Sequence, residues 1–516
     1  MSTDVLIHQG TPRRTPRRPA ALWPALTLPV SAVVVWAVNS GGDALRWLGL
    51  GGLASAMAIA LFVSLEAGLV SMMLFEPLRG FLRRVQYVFL PYSQTDPIHV
   101  VTPLVTILAF AMLLQRRRLA IFRETPLAGL VSVLAVIYFL QIFNPLQGGL
   151  TVGLSGALFV LVPVTWFYFG QAIKPRFLET VFPLMVVLGL ITSLYGIYQL
   201  TFGFPSFEQF WIDNTEFYNS ISVGHVKRGL ATFSSAEEWG RYIEVGALIA
   251  FASVPGVASA ATKLRRVGWF LSGAGLSVML LLTGQRTAMF GLILGCLVLL
   301  LLGAHTWRKA VSRLLLVLVP VVIIAVLAKA PTIDDMLSHG EDDRMGAVLS
   351  HTARGTLNPA HEESLQVRLT NWTFLATELI PYRPLGIGIG GTSLAAWRFN
   401  SELDLPPIDS YFISTVITCG LPAALLFMWI LLRATRMSWR AFRRAEAGSR
   451  DARVWRIAAT LMPVLILNSL FGNTFTLYSV APIGWLLVGW ISAQQVEEAE
   501  TRERRHPPED RESILI

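Results

Sequence analysis

The chain has 516 residues, of which 53% are hydrophobic and only 15% are charged, and its formal net charge is +9. Soluble domains carry about 25% charged residues, so this composition excludes an ordinary soluble protein and predicts an integral membrane protein. Cys296 and Cys419 both lie inside apolar runs, so neither a disulfide framework nor a metal–thiolate site is indicated.

The membrane topology of the N-terminal part depends on two apolar stretches. Residues 1–20 form a basic N-terminus that we expect to be cytoplasmic, followed by an apolar run at 21–38. No small-residue cleavage site follows cleanly, so a retained helix is predicted rather than a signal peptide. The next apolar block, residues 47–76, has two interpretations. It crosses twice as a hairpin turning near Glu66, or it forms one long helix with residues 80–91 amphipathic on the membrane surface.

The positive-inside rule favours the hairpin, because it puts the basic segments at 13–18 and 115–123 on one side. The segment "FEPLRGFLRRVQYVFLPYSQTDPIH" would then be an outer loop. Further apolar runs long enough to cross roughly 30 Å of hydrocarbon occur near residues 98–115, 126–143, 150–170, 178–203, 237–256, 267–283, 287–303, 311–329, 409–432, 457–472 and 475–492.

These runs predict an all-α polytopic membrane protein of about 12 to 14 transmembrane helices, with both termini cytoplasmic. Residues 21–329 form the first helical part, with an outer loop near 204–236, and residues 330–408 form a large outer loop. Residues 409–493 form the C-terminal helices. The tail at 494–516 is solvated, and the basic loop at 433–456 is a cytoplasmic, lipid-facing segment rather than a nucleic-acid site.

The large outer loop contains one amphipathic helix, predicted at 362–380. Its candidate apolar face comprises Leu365, Leu369, Trp372, Phe374 and Leu375. The sequence "PYRPLGIGIGGTS" ends this helix and supplies a Gly-rich turn. Its glycines resemble a dinucleotide fingerprint only superficially, because no βαβ unit surrounds them.

Four polar groups fall on the expected outer side. His225, Lys227 and Arg228 precede a helix, for which Ser234 and Glu237 fit a capping box. Gln285 and Arg286 lie in a tight turn between two apolar helices.

An outward Arg opposes the positive-inside bias. Arg286 therefore has two interpretations. It either has an anionic partner or a functional role, or it is an interface anchor whose charged end snorkels to water. Arg368 lies on the loop helix, where it either pairs with a loop acid or serves the site. Asp409 follows two prolines and precedes an apolar run, which is the favoured position of a helix N-cap.

Arginines gathered at one membrane face suit bidentate capture of a phosphate or pyrophosphate. If a lipid pyrophosphate were the substrate, fixed guanidinium groups would stabilise the charge on the departing pyrophosphate. A carboxylate such as Asp409 would accept a proton from an attacking sugar hydroxyl.

Four stretches in order resemble the O-antigen ligase and Wzy-type polysaccharide polymerase superfamily: "RGLATFSSAEEWGRYI", "TGQRTAMFGLILG", "RLTNWTFLATELIPYRPLGIGIGGTS" and "DSYFISTVITCGLPAALLF". The likeness covers roughly residues 215–435. The resemblance implies a bacterial inner-membrane glycosyltransferase that uses neither metal nor cofactor. Its substrates would be an undecaprenyl-pyrophosphate-linked glycan and an acceptor glycan, handled among membrane lipids on the periplasmic face.

The resemblance also implies roles for individual residues. Arg228 and Arg286 match arginines implicated in holding the pyrophosphate, and Arg368 matches the Arg that opens the loop-helix motif. Asp409 and Ser410 stand where ligases have a His-Asn pair. An acid at this position is more typical of the polymerase and exopolysaccharide branches. Asp409, Arg286 and Arg228 are therefore the candidate catalytic residues, with Arg368, Lys227, His225 and Gln285 as candidate substrate-binding residues.

The leading prediction is an inverting polymerase of lipid-linked repeat units, with a chain-length regulator as a candidate partner. One alternative is ligation of the glycan to a lipid or protein acceptor. Another is a transporter or flippase of lipid-linked sugar, although transporters place ionisable groups at the bilayer midplane. No nucleic-acid partner is predicted.

Overall fold

The computed structural model describes residues 42–90, 96–215, 222–223, 226–254, 260–303, 308, 363–393, 396, 408–446 and 449–505. The predicted spans at 21–38 and 311–329, and much of the predicted loop at 330–408, lie outside these residues. The described secondary structure is helical apart from one antiparallel pair of two-residue strands, β1 (Ser222–Val223) and β2 (Val226–Lys227). The predicted all-α class is confirmed.

The described helices pack around one large hydrophobic core. In chain order they are α1 (Gly42–Val63), α2 (Leu65–Val85), α3 (Val101–Arg117), α4 (Ala128–Leu140), α5 (Leu150–Val164), α6 (Trp166–Ala172), α7 (Pro175–Phe202), α8 (Ser206–Asn214), α9 (Ala236–Ala252), α10 (Ala260–Leu282), α11 (Arg286–Leu302), α12 (Glu363–Phe374), α13 (Tyr411–Cys419), α14 (Leu421–Arg444), α15 (Arg450–Phe471) and α16 (Ala481–Arg505). Short 3-10 turns join several of them.

Six helical segments in the described part of the chain are long and apolar enough to cross a membrane: Arg46–Val63, Pro97–Phe122, Leu150–Ala172, Pro175–Phe202, Leu421–Arg444 and Asp451–Phe471. Ala128–Phe143 and Arg286–Leu302 are shorter apolar segments. The chain is an all-α polytopic membrane protein.

The block at 47–76 folds as two helices and not as one. The helix break falls at Ser64, whose hydroxyl caps α2 by accepting from the Ala67 backbone N–H at 3.0 Å. Leu61, Leu65 and Arg116 line one small gap, so the tip of this hairpin lies beside the basic end of α3. The structure therefore agrees with the hairpin, and the single-helix alternative is wrong.

The segment predicted as an outer loop after this hairpin is instead helical as far as Val85, and its arginines are buried. The Arg79 guanidinium lies 3.0 Å from the Glu238 carboxylate, and that of Arg84 lies 2.7 Å from Glu208. Arg83 pairs with Asp96 at 3.4 Å. Residues 80–85 are thus not an amphipathic surface helix, because carboxylates from distant parts of the chain neutralise their charges.

The apolar run predicted as one helix over 409–432 is divided at Gly420. Gly420 adopts a φ of 86°, in the left-handed region where a side chain would be strained. The chain reverses there, since the Tyr411 ring at the start of α13 lies 4.9 Å from the Phe427 ring in α14. The predicted single span is therefore wrong.

The Gly-rich segment after α12 lies against the end of α13. The backbone N–H groups of Ile387 and Gly388 donate to the carbonyl oxygens of Ile417 and Thr418, each at 2.9 Å. The Gln147 side chain accepts from the Gly390 N–H at 2.9 Å. These bonds satisfy polar backbone that would be costly to bury unpaired. Gly386 and Gly390 allow this close packing, because a Cβ at either position would overlap backbone atoms of Thr418 or Val152.

Gly390→Val is expected to destabilise the protein. A Cβ at Gly390 would overlap the backbone carbonyl of Val152, and overpacking of this kind typically costs about 1 to 3 kcal/mol. The measurement is thermal unfolding in detergent, with Gly268→Ala in α10 as the control, because a Cβ there meets nothing within 4 Å. Equal stability of the two variants would contradict this packing.

Candidate functional site

The helix α13 begins one residue later than a cap at Asp409 requires. Ser410 is the N-cap, and its hydroxyl accepts a hydrogen bond from the Ile413 backbone N–H at 3.2 Å. The same hydroxyl donates to the Ser469 carbonyl at 3.3 Å. The N-cap interpretation of Asp409 is therefore wrong. Asp409 precedes the cap and its side chain is exposed.

Asp409 lines a cleft of about 240 Å³ between three parts of the chain. Leu369, Asn371 and Trp372 of α12 form one wall. Ile408 to Ser410, Ile413, Leu470 and Phe471 line the remainder. Among the described residues the lining is mostly apolar, and Asp409 is the one ionisable residue in it. A mostly apolar cleft with a few placed polar groups is typical of a ligand site.

Beside this cleft, Arg241 of α9 lies at the centre of a buried polar cluster. Its guanidinium donates to the Thr287 hydroxyl at 2.7 Å and to the Asn468 side-chain oxygen, and it lies 3.5 Å from the Glu244 carboxylate. The Asn468 amide donates to Glu244 at 2.9 Å. The cluster joins α9, α11 and α15 at one end of the bundle, here called the site end.

The site end continues from this cluster to Asp409 through two hydrogen bonds. The Glu237 carboxylate, 4.0 Å from the Arg241 Nε, accepts from the Asn473 backbone N–H at 3.4 Å. The Asn473 amide donates to the carbonyl of Ile408 at 2.8 Å. Asp409 is the next residue.

The predicted tight turn before α11 is confirmed, with Gly284 at a φ of 68°. Gln285 packs against α9, because a Cβ at Gly240 would lie 3.0 Å from the Gln285 side chain. Arg286 is the first residue of α11 and is partly buried. Arg286 and Gln285 are thus brought to the same end as Asp409, with Thr287 and Arg241 between them.

The capping box of α9 lies one residue later than predicted. Ser235, not Ser234, is the N-cap and accepts from the Glu238 backbone N–H at 3.1 Å. Glu238 reaches back to the Ser234 backbone N–H at 3.2 Å and also pairs with Arg79. Glu237 therefore has no part in the box and lies toward Arg241 instead.

The polar group that precedes α9, comprising His225, Lys227 and Arg228, is only partly described, and Lys227 pairs outside this site. Lys227 forms an ion pair with Asp213 at 2.9 Å. Hydrogen bonds from Gln209 and Lys227 lower the pKa of the Asp213 carboxyl. Arg228 is partly buried and precedes Gly229, where a Cβ would lie 3.3 Å from the Trp239 ring. His225 lies outside the described residues.

The backbone of the loop before α9 is held by a second buried network. Gln199 accepts from the backbone N–H groups of Leu230 at 2.9 Å and Ala231 at 2.7 Å, and it donates to Glu208 at 2.8 Å. Arg84 donates to the carbonyls of Ala231 and Phe233. The backbone just after Arg228 is thereby fixed to α7, α8 and α2.

The predicted loop helix is confirmed as α12, followed by one wider π-type turn at Leu375–Leu379 that ends before Pro381. Leu375 and Leu379 pack against Ile387, Ile413 and Ile417. Of the predicted apolar face, Leu369 and Trp372 are exposed and line the cleft. Arg368 belongs to α12, one residue before Leu369.

Sequence reasoning missed the residues that join the site. Arg241, Asn468 and Asn473 each contact a different segment of the chain, and no local pattern predicts those contacts. A signal was present for Asn473, because "GN" after the apolar run of α15 is typical of a turn. In the described residues, no group of three or more His, Cys, Asp or Glu is arranged to hold a metal ion.

Together the fold and the site define a polytopic membrane protein with an apolar cleft, an exposed carboxylate and arginines at one end of its bundle. The O-antigen ligase family model matches residues 271–428. That range contains Gln285, Arg286, Arg368 and Asp409, and it confirms the resemblance to an O-antigen ligase-like family. No curated protein matches the chain. The family match supports a membrane enzyme of the general O-antigen ligase or polymerase type.

Ser410→Ala is expected to lower the stability of the protein by about 1 kcal/mol, because it removes the N-cap of α13. Asp409→Asn is expected to change stability by less than about 0.5 kcal/mol, as an exposed substitution outside the cap. Thermal unfolding of both purified variants measures the difference. A larger loss of stability in Asp409→Asn than in Ser410→Ala would show that Asp409 has a structural role.

Proposed function

We propose that this protein is an inverting glycosyltransferase that polymerises undecaprenyl-pyrophosphate-linked oligosaccharide repeat units into an exported polysaccharide. The observation that carries the proposal is the position of Asp409. Since Ser410 caps α13, Asp409 is left exposed in an apolar cleft at the end of the bundle where Arg286 begins α11. The family match over the same segments supports this type of chemistry.

In the proposed reaction, an acceptor sugar hydroxyl attacks the anomeric carbon of the donor glycan. The bond between that carbon and the pyrophosphate oxygen breaks, and undecaprenyl pyrophosphate leaves. The Asp409 carboxylate takes the proton of the attacking hydroxyl. Arg286 and Arg228 stabilise the negative charge on the leaving pyrophosphate, which needs no metal.

The remaining candidates have supporting roles in this proposal. Gln285, next to Arg286 in the turn, and Arg368, on the helix that forms one cleft wall, would contact the donor. His225 and Lys227 would lie farther out toward the sugars; Lys227 would have to leave its ion pair with Asp213 to do so. Leu369, Trp372 and Phe471 give the cleft an apolar surface suited to the face of a sugar ring or to lipid.

The proposed orientation follows the positive-inside rule. The basic end, with Arg116 in α3 and Arg444 in α14, would face the cytoplasm, and the site end would face the periplasm. Both termini would then be cytoplasmic, and the protein would reside in the bacterial inner membrane. A chain-length regulator is the protein partner that a polymerase of this type would use.

The second candidate function is ligation of the glycan to a lipid or protein acceptor. It uses the same donor chemistry, and the family description favours it. The Asp409-Ser410 pair in place of the His-Asn of ligases favours polymerisation.

A transporter of lipid-linked sugar is less well supported. The buried arginines contact carboxylates in fixed pairs, such as Arg84 with Glu208 and Arg241 with Glu244. These pairs lie toward one end of the bundle, whereas a transporter places its ionisable groups at the bilayer midplane.

Asp409→Asn is expected to slow glycan transfer about 10²-fold to 10⁴-fold, because the amide keeps the side-chain size but does not take up the proton. The assay supplies undecaprenyl-pyrophosphate oligosaccharide to purified protein in lipid and measures glycan length and released undecaprenyl pyrophosphate. Glu378→Gln, an exposed acid on the loop segment after α12, is the matched control and should retain the wild-type rate. If the wild type moves lipid across the membrane without forming a glycosidic bond, the proposed enzymatic function is wrong.

Arg286→Lys is expected to reduce transfer about tenfold or more while the protein still folds, because an ammonium group does not reproduce bidentate capture of a phosphate. The same assay is run over a range of donor concentrations. Arg265→Lys, an exposed conservative change on α10, is the control. Unchanged activity of Arg286→Lys would identify Arg286 as an interface anchor.

A further inference from the structure

We infer that Arg241 is a positioning residue. It holds the pyrophosphate-binding side of the site, at Arg286, in a fixed position relative to the carboxylate side, at Asp409. This inference rests on the proposed function and names a residue that lies outside the segment matched by the family model. Arg241 is buried, with 1% of its side chain exposed, so it acts through its neighbours.

The first of these neighbours is Thr287, which directly follows Arg286. The Arg241 Nη2 donates to the Thr287 hydroxyl at 2.7 Å. Gly240 packs on the side chain of Gln285 in the preceding turn. The start of α11 is thus held to α9 on both sides of Arg286, and the guanidinium of Arg241 supplies the polar contact.

The second set of neighbours leads to Asp409. Arg241 donates to Asn468 near the end of α15, and a Cβ on Gly472 would overlap its Nη2. A side chain at position 472 would therefore displace this guanidinium from its present position. The Gly472 carbonyl accepts the Tyr411 backbone N–H at 3.0 Å, and Tyr411 lies two residues from Asp409.

The electrostatics explain why an arginine suits this position. A single buried cation faces two carboxylates, those of Glu244 at 3.5 Å and Glu237 at 4.0 Å, while its planar fork also reaches two neutral acceptors on different helices. A lysine carries the same charge but lacks this fixed multi-donor geometry. Displacement of a reacting group by about 1 Å can reduce a rate about 10²-fold.

The test removes one link at a time. Arg241→Lys is the direct variant, but its buried site puts folding at risk. Thr287→Val is therefore the decisive one, because valine matches the shape of threonine and removes only the hydroxyl that Arg241 contacts. Thr287→Ser restores that hydroxyl. Thr460→Val in α15 is the matched control, because within the described part of the chain the buried Thr460 hydroxyl donates to the Arg456 carbonyl of its own helix and to no other segment.

Each variant is assayed for kcat, for KM toward the undecaprenyl-pyrophosphate oligosaccharide, and for Tm. We expect Thr287→Val to lower kcat about 10-fold to 100-fold with Tm near the wild-type value. Thr287→Ser should recover most of the rate, and Thr460→Val should keep all of it. A merely structural contact would instead lower Tm and leave the kcat of the folded protein unchanged.

The outcomes separate the two proposals. An active wild type with an equally active Thr287→Val variant overturns the positioning role and leaves the proposed function intact. Failure of Thr287→Ser to recover the rate also overturns it, because the hydroxyl would then not be the group that matters. A wild type that transfers no glycan overturns the proposed function, and the positioning role falls with it.

Discussion

Buried arginines need carboxylates and carbonyl oxygens around them, and this requirement holds the site end of the bundle together. Arg79 and Arg84 of α2 contact Glu238 and Glu208 in distant segments, and Arg241 of α9 contacts Glu244 of its own helix. Removing a charge from water is expensive unless it is paired, and breaking such a pair leaves the other charge buried. Helix α9 and the loop before it take part in all three sets of contacts, which makes this segment the centre of the site.

Close backbone contact is the second constraint on the same region. The Gly-rich segment at 386–391 lies against α5 and the end of α13, where Gly386 and Gly390 meet backbone atoms that leave no room for a side chain. Gly420 lets α13 and α14 reverse, and Gly472 lets α15 approach Arg241. The Gly472 carbonyl, which accepts the Tyr411 backbone N–H, fixes the start of α13 and therefore the position of Asp409.

The capping of α13 decides how Asp409 is interpreted. As an N-cap, Asp409 would be explained by local stability. With Ser410 in that position, the carboxylate lies in the cleft beside Trp372 and close in sequence to the residues that contact Asn473 and Gly472. A shift of one residue in a helix start thus changes a structural residue into a candidate base. The same one-residue shift at α9 turns Glu237 toward Arg241 and away from the capping box.

The sequence by itself determined the membrane class, most of the described helix positions and the family resemblance, and it favoured a hairpin over residues 47–76, because long apolar runs, turn glycines and basic loops are local signals. It also located Arg286 and Asp409 as candidates. Only the tertiary structure decided that Arg79, Arg83 and Arg84 are buried in ion pairs rather than exposed in a loop, that the run at 409–432 reverses at Gly420, and that Arg241 joins α9, α11 and α15. The physical reason is that these features depend on tertiary contacts, several of them far away along the chain, such as Arg84 with Glu208 and Arg241 with Asn468, whereas composition and periodicity report only on neighbours.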